Sequence, residues 1–296
     1  MFTTRESRVS VARRMSGVVC AVACLLIVVS GCRATPGSAA TKASTVESVH
    51  SAETFDLLRN AADHEALFTL AGGLKPMSSG IWQGSFAVDE PDLSELSRVR
   101  TALTPLRNDT WYADVQVFEK VHEGERFADA YIVHRVALAR MIERLEPFWR
   151  QWGITPQTHP AEVVAVVERM PRGDRWRGYG YLFGYPDAAV DFFVKAGLET
   201  DDDEIGPGQD RKFVQIPTFA AAAGRFTYAV PFDHVPTVAD DVLAAEAQRI
   251  LAVYTERRDT LQDVPTMMEE LAQMNERFES QAAAVHVQLS HEEVQR

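Results

Sequence analysis

The chain has 296 residues, with 30 Lys and Arg against 42 Asp and Glu and a formal net charge of −12. So acidic a surface excludes a nucleic-acid binder, which needs clustered cations to displace counterions from phosphates. The three cysteines, Cys20, Cys24 and Cys32, all stand near the N-terminus, so the rest of the chain offers no disulfide, no thiolate metal site and no cysteine nucleophile.

Arg5, Arg8, Arg13 and Arg14 precede an apolar run, VVCAVACLLIVVSGC, over residues 18–32. A charged stretch followed by an apolar one is the pattern of a secretory signal, and the run falls short of the ~20 apolar residues that span a bilayer. Its last four residues, Val29-Ser30-Gly31-Cys32, resemble a bacterial lipobox. The resemblance covers only the first 32 residues. It implies a signal peptide cleaved before Cys32, diacylglycerol on the Cys32 sulfur and a fatty acid such as palmitate on the new amino group. An uncleaved anchor and an ordinary secretory signal cut nearby are the alternatives. Several acyl chains on one terminus hold a protein stably at a membrane. Arg33 follows the cysteine where aspartate is the usual inner-membrane retention signal, so the resemblance implies the outer membrane rather than the inner.

Residues 32–47 are small and polar, a composition that cannot bury enough apolar surface to order itself, and read as a flexible tether. Residues 48–296 read as one globular domain. Leu57, Ala61, His64 and Phe68 recur at helical spacing and predict a helix over 48–71, ended by Gly72-Gly73. A fixed loop over 74–80 and a short strand over 82–88 follow. A helix over 92–106 is expected after Asp89, Glu90 and Pro91. Residues 111–121 alternate as a strand, with Ala113, Val115 and Val117 on one side. Residues 126–134 admit two readings, a helical stripe or the return strand of a hairpin turned at Glu123-Gly124. The β-branched and aromatic residues around Tyr131-Ile132-Val133 favour the hairpin, with a helix from His134 or Arg135 to Trp152.

Pro160 opens a helix over 159–169. Gly178 to Tyr185 alternates glycine with aromatics, which fits a strand or a short helix, and another backbone or a ligand can approach the glycine side closely. A helix over 187–196, an acidic loop over 199–210, strands over 213–216 and 226–231, and helices over 239–261 and 265–289 complete the chain. Asp263-Val264-Pro265 leaves little room between the last two, which predicts an antiparallel helical hairpin. The fold class is α+β: a small antiparallel sheet packed with helices, ending in that hairpin.

Candidate chemistry is sparse. His64 and Glu65 adjoin, but position 68, where a second zinc ligand of an HExxH helix would stand, is Phe68. His122, Glu123, Glu125 and His134 flank one predicted hairpin, yet their spacing forces no convergence, so no metal and no cofactor is expected. Asp201-Asp202-Asp203-Glu204 lacks the alternating ligand spacing of a calcium loop. Arg172, Arg175 and Arg177 run into Tyr179, Tyr181 and Tyr185. The functional reading is a groove whose arginines fork anions and whose tyrosines offer flat faces to sugar rings; the structural one is solvated arginines beside core aromatics.

The reading is a lipid-anchored cell-envelope protein that binds another protein or an envelope glycan. The alternative is an envelope hydrolase using His64, His122 or His134 with a carboxylate or a metal. A third reading is a structural lipoprotein whose terminal hairpin packs into an assembly.

Overall fold

The computed structural model describes residues 38–199, 211–220 and 226–294. Val29 to Cys32, the first residues of the expected tether and the acidic stretch 201–210 lie outside the described residues. The chain is α+β, as expected. Among the described residues no helix is long and apolar enough to cross a membrane.

Helix α1, Ser38–Asp63, begins within the stretch read as a tether and ends before Ala71, the expected limit. The early stop has a local cause and a distant one. The His64 ring donates Nδ1–H to the Asn60 carbonyl at 2.8 Å, filling an acceptor that the next helical turn would have used. Asp63 is held by Arg258, whose Nε and Nη2 each donate at 2.6 Å, and by the Tyr254 hydroxyl at 2.8 Å. A buried turn of helix, α2, Leu67–Leu70, follows. Gly72 then takes φ +95°, and a Cβ there would stand 2.5 Å from that of Phe278, so only glycine admits the C-terminal helix this closely.

The segment read wholly as loop contains a two-residue strand, β1, Met77–Ser78, fixed by a 2.8 Å hydrogen bond between the Thr69 and Ser78 hydroxyls. Then come β2, Gln83–Ala87, α3, Ser94–Ala102, and the long strands β3, Trp111–His122, and β4, Glu125–His134. Strand β4 is central and antiparallel to all its neighbours: β3 flanks one side, and β1 and β2 divide the other. The β3–β4 loop is Glu123-Gly124, at φ +52° and +82°, which is the mirror-image turn whose twist matches a two-residue hairpin. That geometry bears out the hairpin reading of residues 126–134.

Alternation along β3 and β4 gives the sheet two buried faces. Ala113, Val115, Ala128, Ala130 and Ile132 join one core with α1, α2, α3 and the C-terminal helices. Tyr131 and Val133 join a second, with α4, Arg135–Arg144, α5, Glu146–Arg150, α6, Pro160–Arg169, α7, Arg172–Leu182, and α8, Asp187–Leu198. The expected single helix from 135 to 152 is broken at Leu145, because Pro147 has no N–H to continue the ladder. A second sheet pairs β5, Arg211–Ile216, with β6, Phe226–Pro231. Helices α9, Val238–Arg257, and α10, Val264–Val294, form the terminal hairpin, in which Leu243, Ala247, Ile250 and Tyr254 share a core with Met267, Leu271, Met274 and Phe278. Thr237 and Asp240 start α9 with a reciprocal capping box.

Candidate functional site

The Gly/Tyr stretch, whose alternation also fits a strand, is helical and lies in α7. Its glycines sit where neighbouring helices press in: a Cβ on Gly180 would approach Val190 of α8 to 2.8 Å. With α8 drawn close, the aromatics of α7 and of the turn after it, at positions 179, 183 and 185, crowd one side, toward the β5–β6 hairpin.

Between them lies a cavity of about 410 Å³. Trp176, Tyr179 and Phe183 come from α7 and its end, and Tyr185 from the turn before α8. Ala189, Val190 and Phe193 come from α8, and Phe213, Tyr228 and Ala229 from the hairpin; Gln116 and Phe118 of β3 close the far side. The rings brace one another: Tyr179 stacks on Phe183 at 5.8 Å, Tyr185 on Phe226 at 5.8 Å, and Trp176 meets Phe193 edge-on at 5.7 Å. Phe213 is 55% exposed at the edge. A concave, mostly aromatic wall of this volume with a few polar atoms is the general form of a small-molecule site.

The polar atoms concentrate at one end. Tyr179 donates its hydroxyl to Glu168 Oε2 at 2.9 Å and accepts from Gln116 Nε2 at 2.5 Å; the same Nε2 stands 3.3 Å from Glu168 Oε2. Glu168 Oε1 takes the Glu119 backbone N–H at 3.1 Å. Burial, with the Glu168 charge adding to it, raises the Tyr179 hydroxyl well above its usual range, so it stays protonated and donates. Gln116 and Phe118 also border a second, more polar cavity of about 530 Å³ between β3 and α6, where Asp114, Glu119, Glu168, Arg126 and Arg169 stand.

Behind the aromatic wall lies Lys75, fully buried. Its ammonium is 2.6 Å from Glu65 Oε2 and 4.6 Å from the centre of the Phe226 ring. Burial lowers the Lys75 pKa and the Glu65 charge works against the fall. Sequence reasoning passed over this lysine, although its place between Leu74 and Pro76-Met77 is an apolar setting for a charge.

The histidine candidates do not gather. His122 is exposed at the end of β3, opposite Glu125 at one end of β4, and His134 is fully buried at the other end of β4, roughly 30 Å away at about 3.3 Å per residue. His134 caps α4, its Nδ1 accepting the Ala137 N–H at 3.1 Å, while Nε2 meets Asn275 Oδ1 at 2.7 Å. Burial lowers its pKa. His64 is committed to Asn60, and Glu65 to Lys75. Among the described residues no group of three or more His, Cys, Asp or Glu is arranged to hold a metal ion.

The arginine candidates do not line the aromatic cavity, and Arg177 bonds Tyr181, which does not line it either. Arg172 lies 4.5 Å over the Trp176 ring and donates to the Gly197 carbonyl at 3.3 Å. Arg175 donates to the Glu168 carbonyl at 3.4 Å, and Arg177 pairs with Asp191 and the Tyr181 hydroxyl. Of the tyrosines, Tyr179 and Tyr185 line the cavity. Tyr181 packs elsewhere, 5.3 Å from Phe148 in the second core. Trp176, Phe183, Phe213 and Gln116 were not singled out in the sequence; the density of aromatics after Arg175 was the only local signal. No known protein family matches the chain, and no curated protein or solved structure matches it significantly.

Proposed function

We propose that the chain is a lipid-anchored cell-envelope protein whose folded body binds a small apolar ligand in the aromatic cavity between α7, α8 and the β5–β6 hairpin. The observation that carries this reading is the cavity itself, about 410 Å³ walled by aromatic side chains from α7, α8, the β5–β6 hairpin and the distant strand β3. Dispersion and the hydrophobic effect supply affinity in such a space, and rings already braced against one another lose little freedom when a ligand enters. The anchored half of the proposal rests on the resemblance at Val29 to Cys32.

Binding is favoured over the hydrolase alternative by the state of its candidates. General base catalysis needs an imidazole nitrogen or carboxylate within hydrogen-bond reach of a substrate. Both nitrogens of His134 are occupied inside the core, and the His64 Nδ1 and the Glu65 carboxylate are engaged with neighbours. Saturable enhancement of N-phenyl-1-naphthylamine fluorescence by the purified full chain, abolished by Ala229→Phe, tests the proposal. A linear, unsaturable response would remove it.

A further inference from the structure

We infer that the ligand of the aromatic cavity is a neutral, largely apolar molecule carrying one N–H or O–H donor, and that Gln116 Oε1 reads that donor. The inference rests on the cavity being a ligand site, as proposed above. Gln116 is only 9% exposed and borders both the aromatic cavity and the polar one beside it. Its amide orientation is fixed by chemistry. A carboxylate only accepts, so the branch facing Glu168 Oε2 at 3.3 Å is the NH₂, which also donates to Tyr179 at 2.5 Å. The carbonyl branch therefore turns away from Glu168, and among the described residues nothing donates to it. That oxygen keeps some accessible surface, so a ligand that covers it without a donor strips its water at a cost that a ligand with a donor avoids.

This acceptor is selective where its neighbours are not. The hydroxyls of Ser79 and Tyr185 in the same cavity can each donate or accept, so they tolerate either kind of ligand atom. Gln116 Oε1 can only accept. An anionic head is disfavoured on two counts, because the apolar wall would strip its water and the Glu168 carboxylate is a near neighbour. A cationic head meets the same desolvation cost, which leaves a neutral donor as the matching chemistry.

N-phenyl-1-naphthylamine and 1-benzylnaphthalene differ only in N–H against CH₂ and have nearly the same shape. With the full chain, against a blank of the same detergent, the amine should bind about tenfold more tightly than the hydrocarbon. In Gln116→Leu that ratio should fall to about one through loss of amine affinity, and in Tyr181→Phe, outside the cavity, it should persist. Equal binding of the two by the wild type overturns the donor inference while leaving the cavity proposal standing. A ratio unchanged in Gln116→Leu overturns it as well. Failure of both ligands to bind the wild type overturns the cavity proposal and this inference with it. Should Gln116→Leu not fold, the wild-type ratio alone decides.

Discussion

Asn275 Oδ1 on the last helix accepts the Nε2–H of His134, at the end of the central strand, across 2.7 Å. The same oxygen takes the Gly72 backbone N–H at 3.0 Å, so one amide joins α10, the sheet and the glycine turn. Asn275→Leu leaves two buried donors without an acceptor and should cost about 2–4 kcal/mol of unfolding free energy. A shift of the urea midpoint measures it, and an unchanged midpoint would show that the bridge contributes nothing.

His134 also carries a pH dependence. Burial in the folded chain lowers its pKa below the ordinary 6.5, with the Asn275 bond and the Glu279 charge opposing. Above pH 6.5 neither the folded nor the unfolded histidine is protonated. As the pH falls below 6.5 the unfolded state gains a proton that the folded state refuses, so stability is lost on the acid side. His134→Asn keeps a side-chain acceptor for the cap of α4 and removes the titration. Urea midpoints at pH 7 and pH 5 should differ less for the variant than for the wild type; parallel losses would contradict this.

The Glu65–Lys75 pair predicts an asymmetry. Lys75 is fully buried and Glu65 is about a quarter exposed, so each deletion leaves a different survivor. Glu65→Gln abandons an ammonium in the core and should cost about 3–5 kcal/mol, whereas Lys75→Met removes the buried charge and should be close to neutral. Thermal unfolding of the two variants checks the order, and an equal loss in both would refute it.

Anchoring predicts that Cys32→Ser abolishes incorporation of radiolabelled palmitate in cells and moves the protein from the membrane to the soluble fraction. Retention at the membrane without label would mean that another segment holds it.

Much of the fold is local and therefore legible in the sequence. Glu123-Gly124 between two apolar runs specifies its own turn, and the apolar spacing of α9 and α10 around Asp263-Val264-Pro265 specifies their hairpin. The end of α1 is not local, since Asp63 is gripped by Arg258 and Tyr254 from the far end of the chain. The Gly/Tyr stretch reads as either period because its glycines answer to Val167 and Val190 on other helices, not to α7 itself. The site was half visible for the same reason: Tyr179 and Tyr185 stand out as aromatics, but nothing in the sequence brings Gln116 or Phe213 to them.

The central claim is that the aromatic cavity is a ligand site. It is tested most directly by titrating the full chain with N-phenyl-1-naphthylamine and comparing Ala229→Phe, which places a ring into the space that the alanine borders. The account predicts saturation near one probe per chain for the wild type and loss of that binding in the variant, with both chains melting at similar temperatures. Equal, saturable binding by the two would contradict it, because the probe would then be held somewhere other than this cavity.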